Sequence, residues 1–308
     1  MATARVLAQA KINLFLRVLA RESSGFHQLE TLFSRLALGD DVTVRLTPSS
    51  RSLDCHGEVI PPAGLGATER NLAWRAATAF VDATGWSTGF EIEIEKRIPV
   101  GGGLGGGSAD AGGVLRAMNA LAPSPLDRKA LRQLAAALGA DVPFLTQDAS
   151  PLALAWGRGD RLLALPPLPA RPCLLLTFPR GVSTADAYRW LSESPAEVPR
   201  AAEYTVGDFS DWKRVELLAY NEFERVVLPR HPVIRVILEG LRLPDLREAY
   251  PVVLMSGSGA SIFALTSSGS NTAKDVALRV DPTVGEGSSI DTLKTSTAAH
   301  VEPVMVAD

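Results

Sequence analysis

The chain has 308 residues, of which 46% are hydrophobic and 21% charged, with a formal net charge of −3. That is long enough for two domains that share or flank a cleft, and it carries no basic footprint for nucleic acid. No apolar run nears membrane-spanning length and Met1-Ala-Thr-Ala-Arg5 lacks a signal-peptide core, so the expected compartment is the cytoplasm, with no membrane partner.

Residues 4–20 read as strand, alternating polar and apolar in their second half. Leu29 to Leu38 is apolar and is expected to end in a turn at Gly39-Asp40-Asp41, before a strand at Val42–Leu46. Residues 48–67 are rich in Pro, Gly and Ser, with a short strand near Leu53. Asn71 to Thr84 has helical spacing and stops near Gly85. Phe90–Glu95 alternates as a half-exposed strand and leads into a glycine run. Helices are expected at about 108–121 and 127–138, the second stopped by Gly139. A proline cluster from Pro166 to Pro172 marks a connection between domains. Cys173–Phe178 reads as a buried strand, and Ala185–Ser192, Asp211–Val227 and Pro232–Leu241 as helices. Short strands at 252–255 and 262–265 flank Ser256-Gly-Ser-Gly-Ala260. From about Asp281 the apolar periodicity fades, and a flexible tail is expected over 281–308.

The glycine run is the most informative segment. Six glycines fill the seven positions from Gly101 to Gly107, interrupted only by Leu104 and followed by Ser108 and a helix. Glycine loses the most backbone freedom on folding, so such a run suggests a ligand close to the main chain. A glycine loop that feeds a helix N-terminus presents bare N–H groups and the positive end of the dipole, which is an anion site. A P-loop is excluded, since no Gly-Lys-Ser/Thr occurs. A G-x-G-x-x-G match at Gly101, Gly103 and Gly106 is nearly forced by composition, and Asp127 at dinucleotide spacing opens a helix rather than ending a strand. A different phosphate loop, with Ser108 as a hydroxyl ligand, fits better than a plain turn.

Other residues stay open on their own evidence. Lys11, beside Asn13 in an apolar strand pattern, is either an edge-strand guard or a cleft residue near phosphate. Asp141 precedes Val142-Pro143, and local pattern favours a helix N-cap over a proton-accepting carboxylate. Gly25-Phe26-His27 on a loop could stack on a base, although a lone His is more often structural. The 256–260 turn is either a hairpin or a second glycine loop sharing a ligand with the first. Cys55 and Cys173 suggest no disulfide framework, and the four histidines share no metal spacing.

Three motifs, Ala10–Leu14, Pro99–Ala111 and Gly257–Ala260, occur in the order seen in the GHMP kinase superfamily, which the chain resembles over about residues 8–265. The strings Ala10-Lys-Ile-Asn-Leu-Phe-Leu16, Gly25-Phe-His-Gln-Leu-Glu-Thr31, Gly139-Ala-Asp-Val-Pro-Phe144 and Gly181-Val-Ser-Thr184 narrow the resemblance. They point to the branch acting on a cytidine diphosphate-linked methylerythritol. The resemblance implies a two-domain α+β GHMP kinase fold. A ribosomal-S5-domain-2-like N-terminal domain would span 1–165 and a ferredoxin-like C-terminal domain 166–280. It implies ATP-dependent phosphorylation of the C2 hydroxyl of that substrate, in the non-mevalonate isoprenoid route, with Mg²⁺.

By the same resemblance Asp141 would be the base and Lys11 its partner. Pro99, Val100, Gly101, Gly102, Gly103, Leu104, Gly105, Gly106, Gly107, Ser108 and Ala109 would wrap the ATP phosphates, with Ser108 near Mg²⁺. Asn71 and Lys96 would lie near adenine. Phe26 and His27 would recognise the cytosine and Tyr188 would close its other face. Asn13 would contact substrate, and Thr184, Gly257, Ser258 and Gly259 would line the diphosphate side. The chain would act as a monomer or homodimer. The alternatives are a homoserine- or mevalonate-type kinase and a non-catalytic ligand sensor of the same fold. Phe26 stands where many members carry Tyr, and Gly112-Gly113 where alanines are commoner, at about 1 kcal/mol of helix propensity per Gly.

Overall fold

A computed structural model of the chain describes residues 2–22, 27–194, 204–267 and 290–307. Its first half contains β1 (Thr3–Arg21), β2 (His27–Thr47), β3 (Arg51–His56), α1 (Leu72–Thr84), β4 (Gly89–Glu95), α2 (Gly106–Leu121), α3 (Arg128–Leu138), α4 (Val142–Thr146), β5 (Leu152–Gly157) and β6 (Arg161–Ala164). The second half contains β7 (Pro172–Thr177), α5 (Thr184–Glu193), α6 (Trp212–Leu218), β8 (Tyr220–Asn221), α7 (Glu224–Val227), α8 (Pro232–Leu241), β9 (Val252–Met255), β10 (Ile262–Leu265), β11 (Asp291–Ser296) and β12 (Met305–Ala307).

The helix boundaries have local causes. The Asn71 side chain accepts from the Ala73 N–H at 2.9 Å to start α1, and Gly85 ends it in the left-handed region at φ 64°. Asp127 and Ser183 cap α3 and α5 in the same way.

The fold is α+β with two sheets. The larger runs β12-β1-β2-β4-β3, with β5 also paired to β2, β6 to β5 and β8 to β1. Helices α1, α2 and α4 bury their apolar faces against it. The smaller sheet runs β11-β7-β10-β9. Its inner strands are apolar over Cys173–Leu176 and Ile262–Leu265 because both faces are covered. Cys173, Leu175, Leu254 and Phe263 belong to the core shared with the larger sheet. Leu174, Leu176, Met255 and Ile262 face a second core with residues of α5, α7 and α8. This period-two division follows from strand geometry.

Three expectations are corrected. The Gly39-Asp40-Asp41 turn is continuous strand, in register with Gln9, Ala8 and Leu7 of β1. Asp40 tolerates this because its carboxylate finds buried donors. The single helix over 211–227 is instead α6, a short β8 that pairs in parallel with β1, and α7. The break is held by Asn221, whose Oδ1 accepts from Phe223 N at 2.9 Å while its Nδ2 donates to Met255 O and Gly257 O. The tail expected to be flexible is partly built into both sheets. Residues 268–289 lie outside the described residues, but β11 pairs with β7 along six residues and β12 pairs with β1.

The tail correction has a measurable consequence. Removing residues 290–308 strips β11 from β7 and β12 from β1, so stability should fall by on the order of 3 kcal/mol. Thermal unfolding of the shortened chain, compared with the full chain, checks this. An unchanged midpoint would mean these strands contribute nothing.

Candidate functional site

The centre of the site is a bulge in β1. The ladder with β2 is irregular between Gln9 and Lys11 and again between Asn13 and Phe15. The backbone N–H of Lys11 therefore leaves the sheet and donates to Leu104 O at 2.9 Å, in the glycine loop. The Lys11 side chain is almost wholly buried, and its Nζ lies 3.4 Å from Asp141 Oδ2. Nζ also donates to Asn13 Oδ1 at 2.8 Å. The Asn13 amide is oriented in turn, with Nδ2 donating to Thr31 Oγ1 at 2.8 Å and that hydroxyl donating to Phe15 O at 2.6 Å.

Asp141 stands at the N-cap position of α4 but makes no side-chain cap hydrogen bond. The cap that local pattern favours is therefore not made. The carboxylate keeps 30% of its surface open, and it faces Lys11. The opposite end of α4 is fixed by Arg35, the cross-strand partner of Lys11. Its Nη2 donates to Phe144 O and Gln147 O, both at 2.8 Å, which also suits a cation at a helix C-terminus. Burial pulls the Arg35 guanidinium down to about 9, with nearby Arg116 adding to the effect.

The glycines are explained partly by this protein's own backbone. Gly103 has φ +76°, and a Cβ on it would sit 2.1 Å from Ser256 O. Ser256 Oγ donates to Gly103 O at 3.0 Å and Ser261 N to Gly102 O at 3.2 Å. The two glycine motifs are thus packed main chain on main chain. Gly105, also at positive φ, clears the Lys11 side chain. Gly112 lets α2 touch α4, since its Cβ would lie 2.6 Å from Leu145 O. Gly106, Gly107, Ser108 and Ala109 form the first turn of α2; the Ala109 N–H donates to Gly105 O at 2.8 Å, and the N–H groups of the three residues before it have no intrahelical partner. Pro99, Val100 and Gly101 precede the loop, Val100 and Gly101 exposed.

Lys96 and Asn71, expected near adenine, have structural partners. Lys96 Nζ is bonded to Asp40 Oδ2 and, at 2.6 Å, to Asp110 Oδ2, all three groups buried. Burial pulls the ammonium down, but Asp110 and Asp40 outweigh it and raise it. Burial, followed by the Asp40 charge, pushes Asp110 upward against the pull of Lys96. Asp40 Oδ1 also accepts from the N–H groups of Arg97 and Ile98, at 2.6 and 2.8 Å, anchoring the chain just before the loop. Asn71 caps α1.

On the other side of Lys11, His27 and Tyr188 stack on each other with centroids 4.6 Å apart, leaving no gap for a third ring between them. His27 Nε2 is 3.2 Å from Ser192 Oγ. Tyr188 is pushed up to about 12, by burial first and then by the Asp141 charge, so it keeps its proton near neutrality. Phe26 lies outside the described residues. Thr184 Oγ1 and Ser258 Oγ are 2.9 Å apart, bringing the start of α5 to the second glycine turn. A Cβ on Gly257 would lie 3.3 Å from Lys11 Nζ, so that turn borders the lysine, and Gly259 packs on Met255.

Among the described residues no group of three His, Cys, Asp or Glu side chains could hold a metal ion. One oxygen of Asp110 is on Lys96, and the other is buried without a partner. With Asp40 and Asp110 both paired to Lys96, a magnesium ion at Ser108 would take most of its ligands from phosphates and water.

The GHMP kinases N terminal domain matches residues 71–148. The 4-diphosphocytidyl-2-C-methyl-D-erythritol kinase of Deinococcus radiodurans is 38% identical over 270 residues, covering 84% of this chain and 82% of that protein. The enzyme of the same name from Gloeobacter violaceus is 37% identical over 275 residues, covering 86% of each. The chain belongs to the 4-diphosphocytidyl-2-C-methyl-D-erythritol kinase family. A crystal structure of a 4-(cytidine 5'-diphospho)-2C-methyl-D-erythritol kinase superposes with a TM-score of 0.68 at 33% identity, covering 96% of this chain and 99% of that one. A homoserine kinase from Cytophaga hutchinsonii, at 18% identity and a TM-score of 0.65, shares the fold. The protein is thus a GHMP small-molecule kinase, and its family implies ATP as the phosphoryl donor. No described helix of this kinase is long and apolar enough to cross a membrane.

Asp40, Arg35, Thr31 and Asn221 were not legible as site residues. Asp40 gave a misleading turn signal, and the other three sit in patterns whose partners are distant in sequence.

The buried triad yields a contrast. Lys96→Met leaves two carboxylates without a cation and should cost about 3–5 kcal/mol. Asp110→Asn removes the carboxylate that burial and Asp40 already disfavour, and should cost under about 1 kcal/mol. Denaturant unfolding of the two variants measures this, and equal losses would contradict the division of roles.

Proposed function

We propose that this kinase transfers the γ-phosphoryl group of ATP to the C2 hydroxyl of 4-diphosphocytidyl-2-C-methyl-D-erythritol, a step of the non-mevalonate route to isopentenyl diphosphate. The observation that carries the reading is the Lys11–Asp141 pair, joined to the glycine loop through Lys11 N and Leu104 O. It sets a cation and a partly open carboxylate that caps no helix beside the glycine loop.

In this reading the acceptor oxygen attacks the γ-phosphorus, the bond to the bridging oxygen breaks, ADP leaves and Asp141 takes the hydroxyl proton. Phosphoryl transfer has a loose transition state, so positioning and charge stabilisation matter more than base strength. Lys11 supplies a buried positive charge at the reacting oxygens, held in place by Asn13, Thr31 and Asp141. Its effect is large because water is excluded around it. Residues 101–107 and the start of α2 hold the ATP phosphates, with Ser108 contributing to Mg²⁺. A magnesium ion held there would supply positive charge to offset that of the ATP phosphates.

The substrate half of the proposal rests on the names of the relatives and on the aromatic pair near Asp141. A cytosine would lie against the outer face of the His27–Tyr188 stack rather than between the rings. Thr184, Gly257, Ser258 and Gly259 would face the diphosphate.

The deciding assay follows ADP release with Mg-ATP and the cytidyl diphosphate substrate, mevalonate, homoserine or galactose. Turnover with the cytidyl compound alone is expected; turnover with another acceptor would overturn the substrate. Asp141→Asn and Lys11→Ala should each lower kcat by about 10²–10⁴ with the melting temperature kept. An Asp141→Asn variant that retained most of its turnover would remove the base assignment. His27→Ala should raise KM for the acceptor by about tenfold, roughly 1.4 kcal/mol, with a smaller change in kcat. An unchanged KM would take His27 out of base recognition.

A further inference from the structure

A cavity of about 700 Å³ lies at the C-terminal end of α4, and none of the glycine-loop residues lines it. Its size falls within the range of small-molecule sites, roughly 300–1,000 Å³. Three arginines reach it: Arg116 from α2, and Arg128 and Arg132 from α3. The last two are four residues apart, one helical turn, so they rise from the same face of α3.

Arg116 is the unusual group. It is 8% exposed, and its one hydrogen bond among the described residues runs from Nη2 to the main-chain oxygen of Glu302. Burial lowers its pKa, with the charges of Asp148 and Glu302 opposing. A buried guanidinium held by a neutral carbonyl is a poorly compensated charge. Asp148 is the single acidic residue in the lining, and it sits 3.5 Å from the exposed Arg128. A surface pair of this kind contributes little. The lining therefore keeps a positive excess, and Arg116 is its least solvated charge.

The rest of the wall is mainly apolar, with Leu126, Leu131, Leu162 and Val304 among its residues, and Asn119, Thr146 and Gln147 as its uncharged polar groups. Convergent guanidinium groups match phosphate oxygens in forked geometry. The apolar wall has no use for a bare ion. We propose that this cavity is a second ligand site, separate from the phosphoryl-transfer centre, that takes a small organic phosphate with an apolar body. The phosphate would meet the arginines and the body would lie on the leucine side.

The test is calorimetric titration of the full chain with n-hexyl phosphate and, separately, inorganic phosphate, the nucleotide site being filled with a non-hydrolysable ATP analogue. One site is expected, with hexyl phosphate at least tenfold tighter than inorganic phosphate. Arg128→Glu combined with Arg132→Glu, both on the exposed face of α3, should weaken hexyl phosphate at least tenfold while leaving turnover without it unchanged. Ala120→Trp, which fills part of the cavity, should remove the preference for the hexyl compound. Equal binding of the two probes would overturn the organic-phosphate assignment. Loss of binding once the ATP analogue is present, or binding untouched by the arginine changes, would overturn the site itself.

Discussion

Two glycine-rich turns meet main chain to main chain, and the rest of the site is arranged around that contact. Side chains at Gly102 or Gly103 would overlap Ser261 or Ser256, so the loop before α2 can approach the β9–β10 turn only because the loop carries no Cβ atoms at those two positions. The same closeness brings Lys11, on a strand of the larger sheet, within reach of a turn of the smaller sheet. Hydrogen bonds from Ser256, Ser261 and Lys11 to loop carbonyls then hold the loop in one shape. A loop fixed in this way can present N–H groups without ordering them anew for each ligand, which is the advantage of preorganisation.

Charge placement follows from the same closeness. The larger sheet carries Lys11 and Arg35 as a cross-strand pair, one cation for each end of α4. Beneath the loop, Lys96 joins two carboxylates from β2 and α2 that are otherwise far apart in the chain. Buried charges of this kind add little net stability compared with apolar packing, but each is costly to leave alone. Their effect is to make one arrangement of β2, the loop and α2 much better than its neighbours. Asp141 differs from them, being partly open and free of a capping role, and so is available for chemistry.

Much of the fold was legible. The helix over 72–84, with Asn71 before it and Gly85 after it, follows from local hydrogen bonding and left-handed glycine, and the strands at 252–255 and 262–265 follow from short apolar runs around a glycine turn. The errors share a cause. Gly39-Asp40-Asp41 has turn chemistry, yet tertiary donors from Lys96, Arg97 and Ile98 let it run as strand. Residues 211–227 have helical composition, yet Asn221 finds better partners in the β9–β10 turn. The polar segment after 290 looked structureless, yet two open sheet edges accept it.

By itself the sequence determined the glycine loop, its helix and the motif set that marks the kinase family, because those depend on residue types at fixed short spacings. It also named Lys11 and Asp141, but left Lys11 evenly balanced between a structural and a functional reading and favoured a helix cap for Asp141. Only the tertiary structure brings the two together. It showed a strand bulge that turns Lys11 toward the loop, a missing cap at Asp141, and 3.4 Å between their charged atoms. Distances of that kind are set by how two sheets and a five-residue helix pack, and no local pattern encodes them.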